Sequence, residues 1–120
     1  MNRILLVDDD KDNLDKFSEV LLREGFEVDS YLEPIDALAE FKPGSYDLVI
    51  LDYFLRGTNG VEVYDQIRTV DKTVHAILLT GSNDLSFDVN KELTVIKKPI
   101  YPSKLIWTIT VILNPSKIVN

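Results

Sequence analysis

Short runs of apolar residues recur along the chain, and each run stops at a polar residue. Residues 4–7 and 48–51 are wholly apolar, and residues 74–79 and 94–96 each contain one polar residue. All four segments are followed by acidic, hydroxyl or basic side chains. Short apolar runs with such ends are typical of strands that are buried on both faces of a sheet. A fifth segment, residues 26–31, alternates apolar and polar residues and predicts a half-exposed strand.

Between these strands, apolar residues return at the spacing of an α-helix. The first predicted helix ends near Gly25, the second begins at Pro34, and the third spans about residues 61–70. The positions predicted to face the core are Leu14, Phe17, Val20 and Leu21, then Ile35, Leu38 and Phe41, then Val63, Ile67 and Val70. Strands that alternate with helices predict an α/β domain, in which right-handed crossovers build a parallel sheet with helices on both faces.

The pattern is weaker after the fourth strand. Residues 84–93 show no helical stripe, and the segment between Thr80 and Val95 is short for a complete helix with its turns. Residues 104–113 favour a strand by local preference, whereas the alternation of elements favours a helix. We predict a helix there, which completes a (βα)₅ pattern.

The predicted last helix has apolar residues on two faces. Its core face holds Leu105, Ile109, Ile112 and Leu113. Trp107 and Val111 fall on the opposite face, where a surface helix is normally polar, and they predict a contact patch that could join two copies as a homodimer. The alternative is that Ile118 and Val119 of the tail cover this patch.

Composition limits the classes of function. The 120 residues predict one domain, 1–120, with a short tail over residues 114–120. Thirteen basic and twenty acidic residues give a net charge of −7, which argues against direct binding to nucleic acid or to a membrane surface. The sequence has no cysteine, no signal peptide and no run of transmembrane length, so we expect a cytoplasmic protein.

Polar side chains follow the ends of four predicted strands. They are Asp8, Asp9 and Asp10 after the first strand, Asp52 after the third, Thr80 after the fourth and Lys98 after the fifth. The carboxyl ends of parallel strands meet at one edge of the sheet, where open α/β sheets bind their ligands. Each residue alone could be a helix cap or a solvated side chain, but their shared edge predicts a functional site.

The acidic residues of this edge call for a cation. Two carboxylates about 4 Å apart repel by roughly 4 kcal/mol at an effective dielectric of 20. Mg²⁺ binds one or two carboxylates together with a backbone carbonyl and water, and therefore suits the cluster. A lysine and a hydroxyl beside the metal suit a phosphoryl group, so that Asp52 could be a nucleophile that forms an aspartyl phosphate.

Four motifs give the chain its resemblance to a known family. The segments VDDD (7–10), LDYFLRGTNG (51–60), LLTGS (78–82) and KKP (97–99) are similar to the motifs of response-regulator receiver domains of two-component signalling. The resemblance covers essentially the whole chain and implies a flavodoxin-like, doubly wound parallel sheet with strand order 2-1-3-4-5. It implies a signalling domain rather than an enzyme, which takes its phosphoryl group from a sensor histidine kinase or a phosphotransfer protein. The downstream effector is left open.

The resemblance assigns a role to each matching residue. Asp52 matches the phosphoacceptor, and Asp8 and Asp9 match the acidic pair that holds Mg²⁺ together with Asp52 and the backbone carbonyl of Phe54. Asp10 is an additional acid, which we interpret as the N-cap of the first helix. Thr80 matches the hydroxyl of the conformational switch, and Lys98 matches the lysine that contacts phosphate, followed by a proline that is usually cis.

The sequence also departs from the family pattern. Leu55 and Arg56 stand where the family usually has Met-Pro, which predicts a looser loop. Val95 stands where the family usually has the aromatic partner of the switch. This departure keeps open a receiver-like interaction module that does not use phosphate.

A haloacid-dehalogenase-type phosphatase is a further alternative, because Asp8 and Asp10 mimic the paired acids of that superfamily. Asp12 stands where that motif needs Thr or Val, no cap domain is present, and Asp52 would have no role.

Overall fold

A parallel sheet of five strands forms the centre of the protein, whose computed structural model describes residues 2–81 and 92–115. In chain order the strands are β1 (Arg3–Val7), β2 (Glu27–Tyr31), β3 (Leu48–Asp52), β4 (Phe54–Leu55), β5 (Thr58–Asn59), β6 (His75–Thr80) and β7 (Leu93–Lys97). The sheet has the order β2-β1-β3-β6-β7, and β4 and β5 form a separate hairpin. The predicted order 2-1-3-4-5 is confirmed, because β6 and β7 are the fourth and fifth strands of the sheet.

Helices cover both faces of this sheet. Those among the described residues are α1 (Lys11–Arg23), α2 (Pro34–Glu40), α3 (Gly60–Val70) and α4 (Pro102–Leu113). Helices α2 and α3 pack on one face, and α1 and α4 pack on the other. The predicted α/β class and the helices on both faces are confirmed.

The central strand β3 explains why this edge of the sheet can hold buried charge. All of its residues are buried, with Val49 and Leu51 facing the α2–α3 side and Leu48 and Ile50 facing the α1–α4 side. An unbroken apolar run suits this position, because both faces of a parallel strand are covered. The strand ends at Asp52, which therefore enters the site from the most enclosed part of the sheet.

Two positions predicted to face the core are exposed instead. Ile35 is 75% exposed, because the short helix α2 turns Pro34 and Ala37 toward the sheet. Val70 is 55% exposed, because the buried face of α3 runs through Tyr64 and ends at Ile67, before Val70. The prediction was wrong at both positions: α2 has too few residues to define its apolar face, and the stripe predicted for α3 left out the buried Tyr64.

The last helix forms despite its strand-like composition. Leu105 and Ile109 are fully buried in the core on the α1–α4 side. Thr108 and Thr110 donate their hydroxyl hydrogens to carbonyls one turn earlier, at 2.8 and 2.9 Å, so their polar groups are satisfied within the helix. Burial of one face thus overrides the weak local preference for a helix, and the predicted helix is confirmed.

Some expectations lie outside the described residues. These are residues 84–91 of the weakly patterned segment, and the tail that could cover Trp107. Within the described part of the chain, no helix combines the length and apolarity needed to span a membrane.

Candidate functional site

The ends of four parallel strands bring the predicted site residues to one edge of the sheet. Asp8 directly follows β1, and its N–H donates to the Tyr31 carbonyl at 3.1 Å, which continues the hydrogen bonding between β1 and β2. Asp52 ends β3 opposite Leu79, and Thr80 ends β6 opposite β7. The register of the sheet therefore fixes the depth of each side chain at this edge.

Three carboxylates meet there. Asp8, Asp9 and Asp52 each offer one oxygen, and these oxygens all lie within 4.8 Å of one another. Asp8 and Asp52 are 1% and 4% exposed. Such closeness between buried anions is unfavourable without a cation, since water screens them poorly.

Asp8 has an unsatisfied oxygen. Its Oδ1 accepts a hydrogen bond from the N–H of Asp10 at 3.0 Å, whereas its buried Oδ2 has no hydrogen-bond partner among the described residues. Burial raises the pKa of Asp8 to about 6; the Asp10 N–H and Lys98 lower it, while the charges of Asp52 and Asp9 raise it. An unpartnered, buried carboxylate oxygen is rare in proteins and fits a hard cation such as Mg²⁺.

Lys98 contacts Asp52 directly. Its ammonium donates to both carboxylate oxygens, at 3.1 and 2.9 Å, and the lysine is 35% exposed at the side chain, against 6% for the aspartate. The backbone N–H of Lys98 donates to the Thr80 carbonyl at 2.7 Å, and the peptide bond to Pro99 is cis. The lysine thus reaches from the edge of the site to a carboxylate at its floor.

Thr80 is fully buried at the end of β6, the strand next to that of Asp52. Val95 lies on β7 opposite Leu78 and is partly buried against the core on the α2–α3 side. The position of the usual aromatic partner is therefore filled by a small apolar side chain that belongs to the core.

The third acid of the N-terminal motif has a different role. Asp10 is the N-cap of α1, and its Oδ1 accepts from the N–H groups of Asp12 and Asn13 at 3.0 and 3.2 Å. The predicted N-cap is confirmed. This use of its carboxylate also argues against the phosphatase alternative, which needs Asp10 as a catalytic acid.

Several contacts hold the loop after Asp52. Strands β4 and β5 pair as an antiparallel hairpin, Leu55 is buried, and Arg56 forms an ion pair with Glu33 of the neighbouring loop. The N–H of Tyr53 donates to the Leu79 carbonyl at 2.8 Å. These contacts hold the loop at the point where the family's proline is missing, and the looser loop stays a prediction. Phe54, whose carbonyl is the predicted metal ligand, lies in this hairpin with its side chain 65% exposed.

Sequence reasoning missed one residue that shapes the site. A Cβ on Gly60 would lie 2.5 Å from the carbonyl oxygen of Asp52 and 2.5 Å from Leu78 Cδ1. Only glycine lets the first turn of α3 approach the end of β3 so closely. The sequence signal was Asn59, which caps this helix by accepting from the Glu62 N–H at 3.0 Å and so places Gly60 at its first position.

Comparison with known proteins agrees with this architecture. A family model described as "Response regulator receiver domain" matches residues 4–110. The chain is 33% identical over 119 residues to a transcriptional regulatory protein CpxR homolog of Haemophilus influenzae, with 97% of this chain and 52% of that protein covered. It is 33% identical over 110 residues to the regulatory protein VanR of Enterococcus faecium, with 88% and 47% covered. The chain thus spans about half the length of these two relatives.

Solved structures share the fold over the same range. A response regulator receiver domain protein (CheY-like) from Methanospirillum hungatei gives a TM-score of 0.88 at 27% identity, with 100% of this chain and 99% of that chain covered. The response regulator DrrB, a Thermotoga maritima OmpR/PhoB homolog, gives 0.80 at 28% identity, with 97% and 54% covered. Fold, family model and relatives agree, and this chain belongs to the family of response regulator receiver domains, the signalling domains of two-component systems.

Proposed function

We propose that Asp52 accepts a phosphoryl group from a phosphohistidine of a partner, which is a sensor histidine kinase or a phosphotransfer protein. The observation that carries this proposal is the contact of the Lys98 ammonium with both oxygens of a buried Asp52, beside two further carboxylates. A buried acid with a lysine ammonium on it and a metal-ligating cluster next to it is suited to nucleophilic attack on phosphorus.

Each residue has a defined part in the transfer. Asp8, Asp9, Asp52 and the backbone carbonyl of Phe54 would hold Mg²⁺, which when bound neutralises charge on the phosphoryl oxygens. A carboxylate oxygen of Asp52 forms the new bond to phosphorus while the bond from phosphorus to the donor imidazole nitrogen breaks, and the imidazole leaves with that electron pair. Lys98 turns from the carboxylate to a phosphoryl oxygen.

The proposal also covers the conformational change by which phosphorylation of Asp52 alters partner binding. The hydroxyl of Thr80 donates to another phosphoryl oxygen and moves toward it, which alters partner binding. With Val95 on β7, no aromatic ring follows this movement. We therefore propose that the change passes through the segment that begins at Gly81, directly after the hydroxyl, and that residues 1–120 act as one receiver domain.

The surface of α4 supports a second element of function. Trp107 is 52% exposed, and we propose that Trp107 and Val111 contribute to a homodimer. A phosphate-independent interaction module is the second candidate, because Val95 stands where the family usually has the aromatic partner of the switch.

Binding of beryllofluoride, which mimics a phosphoryl group on aspartate, tests the proposal. Titration of the protein with beryllofluoride and Mg²⁺, followed by fluorine NMR, should show one bound equivalent that requires the metal. The Asp52→Asn variant should bind none, whereas Asp65→Asn, the same change at an exposed position of α3, should bind as the wild type does. Wild-type protein that binds no beryllofluoride would favour the phosphate-independent module.

A further inference from the structure

A groove runs between helices α1 and α4 on one face of the sheet. Its larger part has a volume of about 560 Å³ and a mainly apolar lining that includes Ile106 and Trp107. A second part of about 310 Å³ adjoins it, because Glu24, Ile106 and Thr110 line both parts. The second part extends to Asn114, at the C-terminal end of α4. The groove therefore leads from the indole of Trp107 to the point at which the chain leaves the helix.

Trp107 is a large apolar side chain at the border of this groove. Leu105 and Ile109 on the core face of α4 are fully buried, so the helix presents the indole at a fixed position. The ammonium of Lys104 lies 5.2 Å from the centre of the indole ring, and the side chain of Trp107 is 52% exposed. An exposed indole beside an apolar groove is typical of a surface that another apolar segment covers.

The chain itself supplies such a segment. Residues 116–120 follow the described part of the chain and carry Ile118 and Val119, two aliphatic residues side by side. Asn114 and Pro115, directly before this segment, end the helix and are residues that favour a turn. The segment therefore starts at the end of the groove, and a turn at Pro115 directs it back along α4.

Reach and tethering favour this segment over a second copy of the chain. Trp107 lies seven residues before Asn114 in α4, a distance of about 10 Å that an extended chain covers in about three residues. After a turn, Ile118 and Val119 thus reach the groove and the indole. A short tether holds them there at an effective concentration on the order of millimolar. A second copy has no such tether, and the net charge of −7 on each copy opposes its approach.

We infer that residues 116–120 turn back at Pro115 and lie in the groove between α1 and α4. Neighbouring side chains of an extended segment point to opposite sides, so Ile118 enters the groove while Val119 lies against Trp107. The segment is short and its cover is reversible, and a second copy that binds through Trp107 has to displace it. The inference goes beyond the proposed function, because it gives the surface of the proposed homodimer an occupant from the same chain and does not depend on phosphoryl transfer.

Fluorescence of Trp107, the one tryptophan of the sequence, reports whether the segment covers it. In dilute monomeric protein, the double variant Ile118→Ser with Val119→Ser should shift the emission to longer wavelength and increase quenching by acrylamide, because the indole gains contact with water. Ile35→Ser is the matched control, since the same change at a side chain that is 75% exposed on the opposite face should alter neither. Unchanged emission and quenching in the double variant would overturn the inference. Wild-type emission that moves to longer wavelength on dilution would also overturn it, since the cover would then be a second copy.

A pair of cysteines tests the position of the segment, because the sequence has none of its own. Thr110 lines both parts of the groove, so Thr110→Cys with Ile118→Cys should form an intramolecular disulfide under mild oxidation, at a rate that does not depend on protein concentration. Val111→Cys with Ile118→Cys is the control for tethering alone, because Val111 is the next residue of α4 and lies outside the lining of both parts. Its disulfide should form at least about tenfold more slowly, since the reacting groups are misplaced. Equal rates for the two pairs, or covalent dimers as the main product of the first pair, would contradict the docked segment.

Discussion

Replacement of Gly60 by alanine should disturb the site through the backbone of Asp52. The new Cβ would lie 2.5 Å from the Asp52 carbonyl oxygen and from Leu78 Cδ1, about 0.9 Å inside the 3.4 Å at which ordinary van der Waals contact begins. The leucine side chain can move aside. The carbonyl belongs to a strand whose residues are all buried, so it can move only together with Asp52.

Two effects of opposite sign decide the size of this change. Alanine is favoured over glycine inside a helix by about 1 kcal/mol, and by less at the first position of α3. Added volume in a packed core costs about 1–3 kcal/mol, and a contact with buried backbone lies toward the upper end. We therefore expect Gly60→Ala to lower the free energy of unfolding by about 1–2 kcal/mol despite its better helix propensity.

Urea denaturation and phosphorylation by acetyl phosphate with Mg²⁺ measure the two consequences. The rate of phosphorylation should fall at least about tenfold, because small displacements of reacting groups are costly. Gly81→Ala is the control for stability alone, since its Cβ would meet no atom of the described residues within 4 Å. Its free energy of unfolding should change by no more than about 0.5 kcal/mol. If Gly60→Ala is as stable as the wild type and is phosphorylated equally fast, the close approach of α3 to Asp52 does not constrain the site.

Three further predictions concern single side chains. In metal-free protein, urea denaturation should show that Asp8→Asn raises the free energy of unfolding at neutral pH by about 1–3 kcal/mol. The reason is that a buried acid whose pKa is raised to about 6 destabilises the fold above that pH. No gain in stability would mean that the charged Asp8 carboxylate does not destabilise the metal-free fold. Burial raises the pKa of Asp71, but three backbone N–H groups and a threonine hydroxyl that donate to its carboxylate outweigh burial and lower it. Its contribution to stability is therefore present above pH about 4 and lost as the pH falls below that value, so stability should fall more steeply with acid in the wild type than in Asp71→Asn, and parallel curves would contradict this. Phe54→Asn should shorten the lifetime of the phosphoryl group after acetyl phosphate is removed, because phenylalanine offers no hydrogen bond to orient water, and an unchanged lifetime would exclude this shielding.

The sequence was sufficient for the order of the five strands of the parallel sheet and for the residues at its edge. Strand β3 could be recognised because a short run that is apolar at every position, as at residues 48–51, is typical of the central strand of a small α/β domain. Parallel strands end at one edge, so Asp8, Asp52 and Lys98 could be placed together before any distance was known. The family motifs then supplied roles that spacing alone does not give.

The features that could not be predicted depend on three-dimensional packing. The unpartnered oxygen of Asp8 and the close contact at Gly60 arise between elements that are distant in sequence. The ion pair between Arg56 and Glu33 joins two loops, and no local pattern signals it. The exposure of Ile35 was mispredicted because a helix of two turns has too few residues to define its apolar face.

Intact-mass measurement after incubation with acetyl phosphate and Mg²⁺ tests the central claim most directly. The account predicts one added phosphoryl group on the wild type and on the control Asp65→Asn, stable in acid and labile in base, and none when the metal is chelated. Asp52→Asn should add no phosphoryl group. Full phosphorylation of Asp52→Asn, or equal phosphorylation of the wild type without metal, would contradict the account.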